Sequence, residues 1–191
     1  MMRRRRFILL LAAAPLVAAV AGRLRAAWPA DGAGEKSLEK IRQNWKSLLA
    51  RDAKVSLSTE PLRKSKAEGK KILSEAEFYV LREEGTERPF SHPLNDEKRP
   101  GVYVCAGCAL PLFTSQMKFD SGTGWPSFFT NIPGHLGTKQ DYQLILPRTE
   151  YHCVRCGGHH GHVFDDGPPP TGQRWCNNGV ALRFIPKTGK A

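Results

Sequence analysis

The sequence predicts a mainly β domain made of small antiparallel sheets, with helices on the N-terminal side. Beyond Gly85, short apolar stretches alternate with turns rich in glycine and proline, at a spacing typical of a sandwich or a partly open barrel. In the last stretch, Val180, Leu182 and Phe184 alternate with the residues between them, as in a half-buried strand. The stretches are "GVYV", "DYQLIL", "GHVF" and "GVALRFIP".

Two helices are predicted ahead of the sheets. Apolar residues recur at helical spacing over 37–50, which indicates an amphipathic helix. Charged and small residues over 51–71 are typical of a linker. A second helix is predicted to begin at Ser74, because Ser74 and Glu77 have the spacing of a capping box, and to end at Gly85.

Composition fits one domain with extensions. The chain has 191 residues, of which 40% are hydrophobic. The net charge of +11 would suit a nucleic-acid or membrane partner, but four arginines form one run at 3–6 and the other charges are scattered. We therefore expect no nucleic-acid partner.

The N-terminus has the order of a secretory signal peptide: the arginine run, a short apolar stretch, then Ala-Val-Ala. The stretch is short for a membrane-spanning helix, which needs about 20 residues. We predict an exported, periplasmic protein whose signal is either of the twin-arginine type or simply strongly basic. A retained anchor is the alternative, so membrane contact is expected only through an uncleaved signal. The predicted segments are 1–21 signal peptide, 22–71 N-terminal helix and linker, 72–187 main domain and 188–191 tail.

Four of the five cysteines form two C-x-x-C pairs. Such turns present both sulfurs to one ion, and two of them supply the tetrahedral thiolate set that zinc prefers. A structural zinc would pin two remote hairpins and leave no coordination position open for chemistry. Disulfides or a redox C-x-x-C are the alternatives in an exported protein, but neither pair has the strand-to-helix context of a thioredoxin-type motif. The pairs are Cys105 with Cys108 and Cys153 with Cys156.

The fifth cysteine, Cys176, is a candidate nucleophile. In an extended segment, Arg174, Cys176 and Asn178 project from one face, and the guanidinium favours the thiolate. An inert buried cysteine followed by a simple turn is the alternative.

Two further motifs supply candidate side chains for a site around Cys176. The stretch "GGHHGHVFDDG" supplies His159, His160 and His162, which suit proton delivery near neutral pH. Alternatively, His159 or His160 replaces a cysteine at the metal. The loop "SGTGWPSF" presents Trp125 and Phe128, either as core aromatics or as walls of an apolar pocket.

Together these motifs resemble the methionine-R-sulfoxide reductases, the B-type family. The resemblance covers 72–187 and rests on the ordered combination of motifs rather than on any one of them. It implies a catalytic domain of two small antiparallel sheets that form a partly open β-barrel or sandwich, pinned by a four-cysteine zinc site. The motifs are "GTERPFS", "VYVCAGCALPLF", "KFDSGTGWPSF", "CVRCGGHHGHVFDDGP", "PTGQRWCNN" and "ALRFIP".

The resemblance implies a mechanism. Cys176 falls on the catalytic cysteine, whose thiolate attacks the sulfur of methionine-R-sulfoxide and becomes a sulfenic acid. His159 and His162 fall on active-site histidines that protonate the departing oxygen, directly or through water.

The remaining matched positions complete the implied site. Asn178 and Arg174 orient and charge-balance it, and Trp125 shelters the substrate methyl group. Phe128, from the same loop as Trp125, and Asp166, an acidic position near the family's active site, are assigned to substrate binding with it.

Several positions depart from the family pattern. His160 and Asn177 replace apolar residues, and Trp175 replaces a tyrosine. The departure with a chemical consequence is Thr123, where many relatives have a resolving cysteine. Without it, we expect a small thiol or a thioredoxin-like partner to reduce the Cys176 sulfenic acid directly.

The expected function is repair of oxidised methionine in exported proteins, on peptide-bound and also free methionine-R-sulfoxide. A non-catalytic, zinc-stabilised binding module is the alternative from another class, and it predicts an unreactive Cys176. A thiol-dependent peroxidase is a third hypothesis, and an assay in which peroxide competes with sulfoxide distinguishes it from a reductase.

Overall fold

The structure, a computed structural model, describes residues 32–142 and 147–187. The predicted signal peptide and the tail lie outside the described residues. Within the described part, no helix combines the length and the apolar character needed to cross a membrane.

Among the described residues, three short α-helices precede the sheets. The amphipathic helix expected over 37–50 begins earlier, and a 3-10 helix at Asn44–Leu48 follows it. The helix predicted at Ser74 is present, because Ser74 accepts the Glu77 N–H while the Glu77 carboxylate accepts the Ser74 N–H. The helices are α1 (Gly32–Gln43), α2 (Lys66–Ile72) and α3 (Glu75–Glu83).

The prediction of a linker over 51–71 is wrong at the C-terminal end of that range, where the structure has α2. A second capping box, made by Ser65 and Glu68, satisfies the first N–H groups of this helix. Gly69 lies close to the Phe78 ring of α3. Since a helix this short is marginal alone, the cap and the contact with α3 together explain why it forms.

Nine strands form two antiparallel sheets, as predicted, and among the described residues neither sheet closes into a barrel. The three-stranded sheet has the order β2-β1-β9, and the six-stranded sheet has the order β3-β4-β8-β7-β6-β5. The strands are β1 (Gly101–Cys105), β2 (Pro111–Thr114), β3 (Lys118–Phe119), β4 (Ser127–Phe128), β5 (Leu136–Asp141), β6 (Arg148–Cys153), β7 (His159–Phe164), β8 (Arg174–Asn177) and β9 (Leu182–Pro186).

The last predicted strand begins later than its alternation suggests. Gly179–Ala181 forms a 3-10 turn, and β9 starts only at Leu182. From there β9 pairs with β1 along its whole length, from Cys105 opposite Leu182 to Gly101 opposite Pro186.

The two sheets share one hydrophobic core. Phe113 of the smaller sheet stacks on Phe128 of the larger one, with ring centroids 4.1 Å apart, and Tyr103 packs edge-on against Phe128. All three side chains are fully buried, and each contributes on the order of 2 to 3 kcal/mol by leaving water. This packing fixes the larger sheet, which carries Cys176.

Candidate active site and metal centre

Four cysteine side chains converge where two hairpin turns meet. Their sulfur atoms all lie within 4.8 Å of one another, and those of two pairs, Cys105 with Cys156 and Cys108 with Cys153, are 3.6 Å apart. Sulfurs bound at about 2.3 Å to one tetrahedral ion lie about 3.8 Å apart, whereas a disulfide requires about 2 Å. The donor set therefore fits a four-thiolate metal site, and it does not fit disulfides.

Cys176 lies on β8, in the middle of the larger sheet. The strand register places it opposite Ser127 of β4 on one side and opposite His162 of β7 on the other. Its half-buried side chain lines a pocket of about 130 Å³, together with Trp125 and Asn178. The extended segment predicted for "RWCN" is thus confirmed, and the fifth cysteine faces a small cavity.

The ionisation of Cys176 reflects two opposing effects. Burial raises the pKa of the thiol above its ordinary value, while the Arg174 charge and hydrogen bonds from Thr123, Arg174 and Ser127 lower it. Arg174 acts in the direction predicted from the sequence, but desolvation outweighs it. The neutral thiol is therefore the dominant form of the free protein near neutral pH.

Arg174 is held rigidly beside the cysteine. Its guanidinium lies over the Phe164 ring, 4.2 Å from the centroid, and binds both oxygens of Asp166 at 2.7 and 2.9 Å. Asp166 itself is 62% exposed. Its contact in the site is therefore with Arg174, which it orients, and the structure does not place it in the pocket wall with Cys176.

His159 is anchored by a buried carboxylate. Its Nδ1 lies 2.8 Å from Glu150 Oε1, and Lys139 Nζ lies 2.8 Å from the second Glu150 oxygen. Burial lowers the pKa of His159 to about 4, although the nearby Glu84 acts in the opposite direction. With its Nδ1–H directed at Glu150, neutral His159 keeps Nε2 as a buried acceptor that has no hydrogen-bond partner among the described residues.

His162 has a similar anchor and lies in the pocket wall. Its Nε2 is 2.7 Å from Asp141 Oδ2, which also accepts a hydrogen bond from Arg148 at 2.7 Å. Burial lowers the pKa of His162, and the hydrogen bond with Asp141 partly opposes this. The His162 ring centroid is 5.5 Å from that of His159. The site thus places one imidazole in the pocket wall and a second, buried one beside it.

Trp125 and Asn178 are fixed on the other side of the cysteine. The Trp125 indole N–H donates to the Glu87 carbonyl at 3.2 Å. Asn178 donates its backbone N–H and its Nδ2 to the His160 carbonyl, and its Oδ1 accepts the Glu87 N–H at 2.9 Å. Both side chains thus hold one orientation towards the pocket.

Two predicted site residues lie in the core instead. On β4, Ser127 is paired with Cys176 and Phe128 alternates to the opposite face, where it is fully buried against Phe113. The assignment of Phe128 to substrate binding is therefore corrected. His160 is also fully buried and stacks on Tyr151, with ring centroids 6.3 Å apart. It does not belong to the metal cluster, whose ligands in the described part of the chain are all cysteines.

Sequence reasoning missed the acidic partners of the histidines. Glu150 and Asp141 lie on β6 and β5, and only the pairing of these strands with each other and with β7 brings their carboxylates to the imidazoles. The one local signal was a charged residue inside a strand-like stretch, since Glu150 follows Arg-Thr and precedes the buried Tyr151.

Known proteins share this arrangement of motifs. The SelR domain matches residues 73–186, which is more than half of the chain. A peptide methionine sulfoxide reductase MsrB of Methanosarcina barkeri is 49% identical over 129 residues, covering 67% of this chain and 91% of the relative. The MsrB of Alteromonas mediterranea is 52% identical over 113 residues, or 59% of this chain and 80% of the relative. The chloroplastic peptide methionine sulfoxide reductase B1 of Arabidopsis thaliana is 50% identical over 121 residues, or 63% and 60%. The chain therefore belongs to the MsrB family of methionine-R-sulfoxide reductases and is an oxidoreductase that acts on methionine sulfoxide.

Proposed function

We propose that the protein reduces the R epimer of methionine sulfoxide, in peptides and as the free amino acid, with Cys176 as the nucleophile. The observation that carries the proposal is the position of Cys176 opposite His162, in a small pocket that Trp125 and Asn178 also line. A binding module would not require a cysteine, an imidazole and an oriented amide around one cavity.

The pocket suits a methyl sulfoxide. The substrate methyl group and its polarizable sulfur contact the Trp125 ring, which supplies an apolar wall. Asn178 uses one Nδ2 hydrogen on the His160 carbonyl, so the second hydrogen is available to the sulfoxide oxygen. Fixing the methyl group and the oxygen on different walls is what selects one epimer at sulfur.

The reaction moves one oxygen atom. The Cys176 sulfur attacks the substrate sulfur and forms a sulfur–sulfur bond while the sulfur–oxygen bond of the sulfoxide breaks. The released oxygen, as hydroxide, then bonds to the Cys176 sulfur and breaks the sulfur–sulfur bond, which leaves a sulfenic acid on Cys176. The substrate sulfur is reduced by two electrons and the cysteine sulfur is oxidised by two. The thiol proton ends on the sulfenic acid, and methionine leaves as the thioether.

The histidines carry that proton. His159 and His162 are neutral, so they can accept the Cys176 proton and return it to the sulfoxide oxygen, which is a poor leaving group unless protonated. In the free protein the thiol and the imidazoles all favour their neutral forms. Proton transfer is therefore expected to accompany the attack on sulfur rather than precede it.

The sulfenic acid is reduced from outside the chain. The resemblance to the family implies that Thr123 stands where many relatives have a resolving cysteine, and the Thr123 side chain is one of the groups that lower the pKa of Cys176. The other four cysteines belong to the metal cluster. A small thiol or a thioredoxin-like protein then attacks the Cys176 sulfur, releases water and leaves a mixed disulfide that a second thiol resolves.

The ion of the cluster is proposed to be zinc, held by Cys105, Cys108, Cys153 and Cys156 as thiolates. Zinc binds four thiolates tetrahedrally and would clamp the two hairpins without taking part in the reaction. Residues 1–21 are proposed to direct export to the periplasm, where the enzyme repairs oxidised proteins. N-terminal sequencing of the exported protein tests cleavage, since an intact N-terminus in the membrane fraction would favour the anchor.

The decisive assay uses separated R and S epimers of dabsylated methionine sulfoxide with dithiothreitol. Turnover of the R epimer alone, lost in Cys176→Ser, supports the proposal. If folded, metal-loaded protein turns over neither epimer, the proposed reaction is wrong for this chain. Turnover of both epimers at similar rates would leave the reductase assignment intact and remove the proposed selectivity.

A further inference from the structure

Glu87 connects two walls of the pocket although it does not line the pocket itself. Its carbonyl accepts the Trp125 indole N–H, and its own N–H donates to Asn178 Oδ1. Its carboxylate accepts the N–H of Gly179 at 2.6 Å with one oxygen and that of Val180 at 2.9 Å with the other. Every hydrogen-bonding group of Glu87 thus bonds either to Trp125 or to the 178–180 segment, which follows Cys176 in the chain.

The carboxylate stabilises the turn that follows Asn178. Gly179–Ala181 is a single 3-10 turn, whose first N–H groups have no partner within it. Hydrogen bonds from N–H groups to an ionised carboxylate are shorter and stronger than neutral ones. Glu87 therefore fixes the point at which the chain leaves β8, and with it the backbone of Asn178.

The Glu87 N–H also settles the orientation of the Asn178 amide. An N–H donor requires an acceptor, so the oxygen of the amide must face Glu87. The nitrogen then faces the His160 carbonyl and the pocket. A turned amide would present the oxygen instead of the nitrogen to the sulfoxide oxygen and would repel it.

Two close contacts keep the Glu87 segment against both walls. The Phe90 N–H donates to the Gly124 carbonyl at 2.7 Å, and its ring lies so near Gly124 that a Cβ there would approach it to 2.7 Å. The His92 ring lies so near Gly179 that a Cβ there would clash with it. Phe90 has a φ of 59°, a left-handed conformation that costs a non-glycine residue free energy. The surrounding contacts hold it there.

We propose that Glu87 is a positioning residue for the reductase reaction, which holds the Trp125 indole and the Asn178 amide at fixed places relative to Cys176. This inference rests on the roles proposed above for Trp125 and Asn178. Glu87→Ala keeps both main-chain contacts but frees the turn at Gly179. Glu87→Gln keeps a carbonyl oxygen that can accept one of the two N–H groups.

The matched control is Glu77, another carboxylate that accepts a backbone N–H and contacts a distant arginine, Arg183. It lies on α3 and does not touch Trp125 or Asn178. Glu77→Ala therefore reports the cost of losing a capping carboxylate on a helix that also packs against the Gly179–Ala181 turn, but whose own hydrogen bonds, to Ser74 and Arg183, lie outside the pocket.

The experiment measures kcat and KM for the R epimer, together with urea unfolding, for all three variants. The substrate-induced change in tryptophan fluorescence is measured as well, and the part absent from Trp125→Phe is assigned to Trp125. We expect Glu87→Ala to lower kcat/KM by about 10- to 100-fold, a size typical of small misplacements in active sites. The kcat/KM of Glu87→Gln should lie between that of Glu87→Ala and that of the unchanged protein, and the kcat/KM of Glu77→Ala should stay within about two-fold of the unchanged value. The Trp125 fluorescence change should differ only in the Glu87 variants.

Two outcomes overturn the inference. In the first, Glu87→Ala retains kcat/KM within about two-fold, or loses activity only in proportion to its unfolded fraction, while Asn178→Ala and Trp125→Phe are impaired. The proposed site then stands and only the role of Glu87 fails. In the second, Asn178→Ala and Trp125→Phe are fully active, so the roles proposed for those residues fail and positioning them has no consequence.

Discussion

Replacing His160 with leucine is expected to make folding less sensitive to acid. His160 is fully buried against Tyr151, and its Nε2 has no hydrogen-bond partner among the described residues. Its Nδ1 is 3.5 Å from the Asn177 amide nitrogen, a long and weak contact. Burial lowers its pKa from the ordinary 6.5 to about 4, since a buried imidazolium would lose its hydration.

The size of the effect follows from the two pKa values. The unfolded chain binds a proton at His160 below about pH 6.5, whereas the folded chain does so only below about pH 4. Because the folded pKa is depressed, stability is fully present above pH 6.5 and is lost as the pH falls towards 4. The loss amounts to about 2 kcal/mol at pH 5 and is close to zero at pH 7.5.

Urea unfolding at pH 7.5 and pH 5 checks this value. From pH 7.5 to pH 5, the free energy of unfolding should fall in both proteins, but by about 2 kcal/mol less in His160→Leu than in the unchanged protein. Both proteins keep His159 and the metal ligands, so those acid responses cancel in the difference. His160→Gln, polar but not titratable, should behave like His160→Leu. Equal losses in all three proteins would refute the reasoning, because His160 would then titrate alike in both states.

Alkylation of Cys176 by iodoacetamide should accelerate steadily from pH 7 to beyond pH 9, because burial raises the thiol pKa, and Arg174→Gln should be slower at pH 8. A rate plateau below pH 8 would contradict this. Cys108→Ser should lower both the bound metal measured by elemental analysis and the melting temperature measured by circular dichroism, because structural metal contributes folding free energy. An unchanged melting temperature would argue against a metal-dependent fold. After one turnover without thiol, mass spectrometry should find one added oxygen on Cys176, and an internal disulfide there would disprove direct external reduction.

The sequence predicted the features that depend on local spacing. The C-x-x-C turns and the extended segment around Cys176 are set by residues two or three apart, and both predictions are confirmed. The capping box at Ser74 is local in the same sense. The strand predicted from the alternation at Val180 does not begin there. Glu87, which is distant in the chain, accepts the Val180 N–H and stabilises a turn at that point instead.

The parts that could not be predicted depend on strand register. His162 meets Asp141, and His159 meets Glu150, only because β5, β6 and β7 pair in one register. A shift of one residue would send each carboxylate to the opposite face. The assignment of Phe128 to substrate binding is wrong for the same reason. Because Ser127 pairs with Cys176, its neighbour Phe128 points to the opposite face of the sheet, into the core. No local pattern in the sequence encodes these pairings.

The pairing of β9 with β1 also determines when the domain can be completed during synthesis. The central strand of the smaller sheet needs a partner, Leu182–Pro186, that is synthesised after all the other strands of the described structure. The four cysteines are available earlier, since the last of them is Cys156. An ion can therefore clamp the two hairpins in a nascent chain whose β1 still has an unpaired edge. A polypeptide that stops before Leu182 would keep that edge open and be prone to aggregate, whatever the state of its catalytic cysteine.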